Sequence, residues 1–368
     1  MFCACCRLPG QRSGGFFAED TSKGMSATSP DVESALARRA VYRRRAAFSA
    51  APAVHPERTE FIIRRACLLT LDPHIGDLTA ADLHVRDGLI VNIGRNLRSS
   101  AMHEIDGRGA IVVPGFVAAH RHLGSVAASL EDAGQGIPDL STAEAADVYR
   151  VLRLALLDAM ASGFTTLNHC AYDIGSEHAE TAIVAHIDSG MRGRFSYPLS
   201  GALPAETGDL EDIQRLEKIW FASYGEHLLD LGIAVHNATN DPFVASAALP
   251  VTTSYAGDPS QQSTLAERTI DPAKVLEIDH CIGSLSPGKC ADIVLIAAGL
   301  HNESLTPQIG HDIARKATAS DVLLVSIDGR LRKQNGVLVE PNEGLIRREG
   351  REAIARLRAE TRWPITTN

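Results

Sequence analysis

The sequence predicts an α/β protein, and three observations carry that expectation. Strand-like and helix-like segments alternate between Pro114 and His236, which is the signature of βαβ units around a parallel sheet. Purely strand-like segments with two-residue turns flank that stretch on both sides. No segment repeats another, so the layout is β-region, α/β-region, β-region, and the two flanking regions can pair as one discontinuous β-domain.

The elements follow in order. Residues 1–58 have no sustained period and are rich in Gly, Ser, Pro and Arg. They read as a disordered extension, with a short helix near Val32–Arg45. Its basic run, Arg38–Arg45, also fits an organellar leader or, less well, an export signal. Phe61–Leu71 is an apolar run of strand character. Asp82–Val85 alternates, Asp87-Gly88 signals a tight hairpin, and Leu89–Ile93 returns. Glu104–Val113 is a strand region broken by Gly107 and Gly109. Ser141 and Glu144 have the spacing of a capping box. The helix expected after them places Val148, Leu152, Ala155, Leu156 and Ala159 on one face, with Gly163 beyond its end. Phe164–Asn168 is a buried-type strand. Ala179, Ile183 and Ile187 line a second helix that stops at Gly190, and Met191–Leu199 is the next strand. Ile213, Leu216, Ile219 and Trp220 mark a third helix, and Leu231–His236 a further strand. Residues 238–262 show no clear period. A short helix is expected over Asp271–Leu276. Ala291–Ile296 and Val322–Ile327 are apolar strands, Asp328-Gly329 and Asn335-Gly336 are turns, and residues 343–360 form a polar helix.

Composition excludes several classes. The chain of 368 residues is 45% hydrophobic and 22% charged, a globular mix. No run of about 18 apolar residues is present to cross a membrane. A net charge of -9 and only 5% aromatic residues argue against a nucleic-acid partner. The seven cysteines are odd in number and form no disulfide framework, which fits a reducing, cytoplasmic setting. Cys3, Cys5 and Cys6 cluster; plain thiols, acylation and metal binding all remain open for them.

The chemistry-bearing stretch is Val113-Pro114-Gly115-Phe116-Val117-Ala118-Ala119-His120-Arg121-His122. On a strand, residues two apart face the same side, so His120 and His122 can present two imidazoles to one metal ion. Zinc accepts neutral imidazole readily. With 14 histidines in the chain, a bare His-x-His is weak evidence. A strand, a Pro-Gly bend and the entry to an α/β region strengthen it against the alternative of incidental histidines.

Pro114–His122 resembles the strand-1 signature PGFVxxHxH of the amidohydrolase superfamily, in its cytosine-deaminase/chlorohydrolase-like branch. Ile282–Ile296 is similar to that family's IGSLxPGKxADIVLI, nearly letter for letter. Gly163–Leu167 and Asp188–Arg192 are similar to its strand-2 and strand-3 lead-ins. The resemblance covers roughly residues 60–240 and 270–340. It implies a (β/α) TIM-type barrel with a composite β-sandwich built from both chain ends. On that basis residues 59–113 with 275–341 are expected as the sandwich, 114–274 as the barrel region, and 342–368 as a helix and tail. It also implies a small-molecule substrate and a zinc ion, or another divalent metal such as Fe²⁺. In such a site the metal lowers the pKa of bound water to about 7, and the hydroxide attacks a carbon from which ammonia, an amine or chloride leaves. His120 and His122 would be the strand-1 ligands.

Length departs from that pattern. A (β/α)8 barrel takes about 250 residues and seldom fewer than 200, and the span from Ile111 to Pro272 is too short for it. Four βα units are readable before Asn237, so a partial barrel is expected, one whose exposed sheet edges would also admit a homo-oligomer. The family's later ligands should lie in the part that is lacking. His236, at the end of a strand and in GIAVHN, is the strongest candidate for a third ligand, and His169 is the next. The alternative for both is a polar residue at a strand end. His178, His186 and His227 are expected on helix surfaces. Asp241 and Asp258 are the nearest carboxylates to the strand-8 acid of the family, but both precede Pro and read as turns, and Pro250 stands in the acid's place.

Two functional classes therefore stand. One is a metal-dependent hydrolase of non-peptide C–N bonds. The other is an inactive, shortened relative or an edge-pairing interaction protein. The sequence has no G-x-S-x-G elbow, phosphate-binding G-x-x-x-x-G-K-[ST] loop or dinucleotide-binding G-x-G-x-x-G unit.

Overall fold

The computed structural model describes residues 37–42, 53–99, 103–124, 140–199, 207–221, 228–235, 251–253, 264–297 and 309–360. Two sheets dominate them. The larger contains β1 (Phe61–Leu68), β2 (Leu78–Arg86), β3 (Leu89–Gly94), β4 (His103–Asp106), β5 (Ala110–Pro114), β11 (Ile293–Ala297), β12 (Val322–Ile327), β13 (Arg330–Gln334) and β14 (Val337–Leu338). Its order is β14-β13-β12-β11-β5-β1-β2-β3, with β4 beside β1. Both flanks of the chain meet where β5 pairs antiparallel with β11, Ala110 opposite Ala297 and Pro114 opposite Ile293.

Turn chemistry shapes this sheet. Asp87 and Gly88 both have positive φ, as do Asp328 and Gly329, and Asn335 and Gly336. That is the requirement of the tight hairpin turn whose twist suits its flanking strands. One edge of β1 is shared in succession: Phe61–Arg64 lie beside β4, and Cys67–Leu68 beside β5. The chain steps between the two at Gly107, where a Cβ would come within 2.6 Å of the Ala66 side chain.

The smaller sheet holds β6 (Phe116–Arg121), β7 (Phe164–Cys170), β8 (Arg192–Pro198), β9 (Leu229–Val235) and β10 (Val251–Thr253). They lie in the order β10-β9-β8-β7-β6, and every pairing is parallel. Helices α1 (Ala145–Ala161), α2 (Ala179–Ser189) and α3 (Thr207–Leu216) link β6 to β7, β7 to β8 and β8 to β9. This is the alternation expected from the sequence. The later helices are α4 (Ile270–Val275), α5 (Ile309–Lys316) and α6 (Glu343–Glu360). α4 and α6 match helices expected from the sequence, and α5 is an additional one.

A single residue separates the two sheets. β5 ends at Pro114, β6 begins at Phe116, and the Gly115 N–H is bonded to the Asp292 carbonyl at 2.9 Å. A Cβ on Gly115 would lie 2.1 Å from the Thr165 hydroxyl oxygen, so only glycine fits the crossing. A buried ion pair reinforces the junction: Arg192 at the start of β8 donates from Nε and Nη2 to the two Asp292 oxygens, at 2.9 and 3.0 Å. Asp292 also accepts the Asp328 amide at 2.9 Å.

Four expectations are corrected. Ser141 does not cap α1; Glu144 occupies the cap position, without a side-chain cap bond. The one-sided apolar face predicted for α1 is in fact a helix buried nearly all round, because α6 covers its outer side. Gly350 of α6 lies so close to α1 that a Cβ there would be 2.7 Å from the Leu154 Cβ. The histidines His178 and His186, expected at the surface, are 7% and 1% exposed. Finally, the extension over residues 1–58 is not wholly unattached. Residues 37–42 are helical, and Arg39 donates to the Ile219 carbonyl at 2.6 Å with its guanidinium over the Trp220 ring. Further along, Arg58 grips both oxygens of Asp328, and His55 bonds to the Ile187 carbonyl.

Candidate metal centre

The C-terminal ends of β6 and β7 bring the candidate residues together. The strand alternation anticipated for His-x-His holds: His120 and His122 lie on one side, while the Arg121 guanidinium turns away and sits over the Phe164 ring. The two imidazoles are half-buried and meet edge to face, with ring centroids 4.8 Å apart. Their Nε2 atoms are 3.1 Å apart.

Behind the rings, β7 fixes their orientation. The His122 Nδ1 lies 2.9 Å from the Cys170 carbonyl oxygen. A carbonyl can only accept, so Nδ1 carries the proton and Nε2 is left with a lone pair. The His120 Nδ1 is 3.2 Å from the Cys170 Sγ. That thiol is fully buried, and burial pushes its pKa up to about 12, so it remains a neutral S–H. Asn168, two residues back on the same face of β7, donates to the Ala119 carbonyl at 2.9 Å and accepts from the Ser196 hydroxyl at 2.7 Å. The floor under the imidazoles is thus cross-linked across β6, β7 and β8.

Whether a metal fits can be judged from these distances. Ligands about 2.0–2.1 Å from a tetrahedral zinc ion stand roughly 3.3 Å from one another. The observed separation of the two Nε2 atoms matches that spacing. Outer hydrogen bonds to Nδ1 of the kind seen here accompany metal-binding histidines. Two donors therefore fit. Among the described residues no group of three or more His, Cys, Asp or Glu side chains is arranged to hold an ion.

His236, expected as a third ligand, and also His227, Asp241, Asp258 and Pro250, lie outside the described residues. His169 is fully buried on β7, edge-on to Phe195, with its Nε2 3.5 Å from Asp173 Oδ1. It does not join the converging Nε2 atoms. Sequence reasoning missed Asp173, which accepts the Gly124 amide at 2.7 Å and lies 4.0 Å from the His122 Nδ1. Burial alone would raise its pKa, but His169, His122 and the Gly124 amide outweigh burial and hold the carboxyl below the ordinary range. Its position just past a parallel strand, in His169-Cys170-Ala171-Tyr172-Asp173, was the signal available.

Comparison with known proteins finds relatives over part of the chain. The chain is 31% identical over 198 residues to a 5'-deoxyadenosine deaminase of Methanosarcina mazei, covering 50% of this chain and 45% of that protein. It is 40% identical over 108 residues to a 5-methylthioadenosine/S-adenosylhomocysteine deaminase of Symbiobacterium thermophilum, covering 27% of this chain and 24% of that protein. Both of these relatives are named as deaminases, and the chain is similar to them over part of its length. It spans about half the length of the relatives it matches, or less. No family model matches. Among solved structures, a zinc-bound adenosine deaminase from Xanthomonas campestris aligns with a TM-score of 0.66 at 14% identity, over 83% of this chain and 100% of that one. A zinc complex of atrazine chlorohydrolase from Arthrobacter aurescens aligns at 0.60 with 16% identity, over 80% of this chain and 100% of that one. These likenesses identify the fold as mixed α/β, of the kind found in these two structures. No helix among the described residues is long and apolar enough to cross a membrane.

Proposed function

We propose that this chain is a metal-dependent hydrolase of non-peptide C–N bonds, of the deaminase type, acting on a small molecule. The observation that carries the reading is the pair of Nε2 atoms facing each other 3.1 Å apart at the end of β6. His120 and His122 would hold a divalent ion, zinc or Fe²⁺, and His236 would supply a third donor. Such an ion, when bound, acts as a Lewis acid that activates water near neutral pH. The chain's own residues do the rest. The Cys170 carbonyl keeps the His122 proton on Nδ1, and the Asn168 bridges keep β6 and β7 in register beneath both rings. For the substrate, this reading takes its cue from the names of the relatives: a deoxyadenosine-like nucleoside that loses its ring amine as ammonia.

The same reading takes the five parallel strands as a segment of a (β/α) barrel over residues 114–274. Residues 59–113 and 275–341 then form one composite β-sandwich domain, with residues 342–368 as a helix and tail. A cytoplasmic location and a homo-oligomer that covers the sheet edges belong to this reading too.

A second reading is favoured by one observation, the presence of only two converging donors among the described residues. In it the chain is a catalytically inactive relative. Purified protein equilibrated with zinc, dialysed, and analysed for metal and for ammonia release from 5'-deoxyadenosine separates the two. The hydrolase reading expects close to one zinc per chain, lost in His122→Ala, and ammonia release lost with it. Zinc without turnover supports the inactive relative. A wild-type chain that retains no zinc overturns the metal site itself.

A further inference from the structure

Both Nδ1 atoms of the candidate centre are bonded to one residue. The His122 Nδ1 meets the Cys170 carbonyl and the His120 Nδ1 meets the Cys170 thiol, so the last residue of β7 holds both rings from behind. The donor and acceptor capacities of the groups set the polarity of the circuit. The Cys170 carbonyl can only accept, so His122 is protonated on Nδ1 and has a bare Nε2. In the metal-free chain the 3.1 Å contact between the two Nε2 atoms, taken as a hydrogen bond, puts the proton on the His120 Nε2. That leaves the His120 Nδ1 as an acceptor, and the group facing it is the Cys170 S–H. The three bonds close a ring: thiol to His120, His120 to His122, His122 to the carbonyl of the same cysteine.

A metal ion asks for the opposite arrangement at one place only. His122 already offers a bare Nε2. His120 must move its proton from Nε2 to Nδ1, and the group behind it must then accept. A thiol can do both, since sulfur is a weak donor and a weak acceptor. Asn168 also approaches the same sulfur, its Nδ2 lying 3.7 Å away, so the side chain sits among polar neighbours in both roles.

We infer that Cys170 is a positioning residue that orients both imidazoles and lets His120 exchange tautomers between the metal-free and metal-loaded states. The inference rests on the proposed metal reading for its purpose, but not for its first test. Cys170 then acts on His120 through its side chain and on His122 through its backbone, so substitution should separate the two histidines. Cys170→Ala removes the thiol and keeps the carbonyl; Cys170→Ser keeps a hydroxyl that can donate or accept.

The experiment uses the full chain labelled with ¹⁵N-histidine. Long-range proton–nitrogen spectra of the metal-free protein assign the tautomers, with His120→Ala and His122→Ala identifying the signals. The expected result is an Nε2-protonated His120 and an Nδ1-protonated His122 in the wild type. In Cys170→Ala the His120 pattern shifts toward a tautomer mixture and His122 is unchanged; in Cys170→Ser His120 returns toward the wild-type pattern. Zinc affinity, measured by competition with a chromophoric chelator, should fall about tenfold in Cys170→Ala and recover in part in Cys170→Ser, as for other groups that orient metal ligands. Circular dichroism confirms that each variant is folded. Identical His120 signals in the wild type and a folded Cys170→Ala would overturn the inference. So would an equal shift of both histidines. A wild type that binds no zinc sinks the metal reading instead, and the tautomer comparison still decides the role of Cys170.

Discussion

Most neighbours in the nine-stranded sheet are antiparallel, and several are joined by two-residue turns, whereas every pairing in the five-stranded sheet is parallel. The first kind of sheet is built mostly from antiparallel neighbours, with β4 and β5 lying parallel to β1, and its two halves meet where β5 pairs with β11. The second kind has no local closure at all. From β6 to β9 each neighbour is reached through a connection that carries a helix, so this part of the sheet depends on α1, α2 and α3. The candidate metal centre sits on the second sheet, at the strand that follows directly from the first. The regular hairpin sheet thus anchors the first strand of the less self-sufficient one.

The largest expected effect comes from breaking the junction between them. Asp292→Ala would leave the Arg192 guanidinium, whose side chain is 11% exposed, without its bidentate partner. Removing one member of such a buried pair costs about 3–5 kcal/mol. Urea unfolding followed by tryptophan fluorescence and circular dichroism should show that loss. If the variant also splits one transition into two, the sheets are separable; a single shifted transition makes them one cooperative unit.

The helical cover of the five-stranded sheet gives a smaller effect. Gly350→Ala would gain up to about 1 kcal/mol from helix propensity at an exposed site. Here the new methyl meets the Leu154 Cβ at 2.7 Å and the Arg150 carbonyl at 3.1 Å, neither of which can swing aside. Overpacking of this kind costs roughly 1–3 kcal/mol, so the sign is a net loss. Thermal unfolding checks it, and a stabilised variant would mean that α6 can slide on α1.

The smallest effect tests the same helix pair through charge. Asp147 on α1 accepts from Arg356 on α6 at 2.7 Å and from Arg150 at 2.9 Å. Burial raises its pKa, but the two guanidinium groups outweigh burial and hold it below the ordinary value. A depressed folded pKa gives stability that is present above the unfolded value, about 3.9, and is lost as pH falls through the folded one. Arg356 is 46% exposed, so Asp147→Asn should cost less than about 1 kcal/mol at pH 7. The difference between wild type and variant should close as the solution is taken below about pH 3.9. A difference that persists in acid would point to packing rather than charge.

The contrast between the sheets also explains what could be read in the sequence. Asp87-Gly88, Asp328-Gly329 and Asn335-Gly336 announced their hairpins because a positive-φ pair is a local requirement with a local signature. Gly190 marked the end of α2 for the same reason, taking up a left-handed φ of 66°. His120 and His122 were legible because strand alternation alone places them on one side. What stayed hidden depends on what lies across from a residue. His178 and His186 looked like surface groups because periodicity shows which face is apolar, not whether the other face is covered. α1 and the residues 37–42 close in on α2, as the bond between Tyr42 and Thr181 shows. Asp173 and Cys170 were missed at the site because their roles arise from β6, some 50 residues earlier in the chain. Both lie where a parallel strand ends, the face on which ligand-binding residues of such sheets gather.

Gly115 sets a strict limit on how this chain can vary. With one residue between the chain-end staple and the strand that carries the imidazoles, there is no slack in which an insertion could hide. An extra residue anywhere from Gly115 to Ala119 would turn His120 and His122 together to the opposite face of the strand and bring Arg121 round in their place. A surface loop can lengthen without turning a strand over; this short stretch has to keep its count.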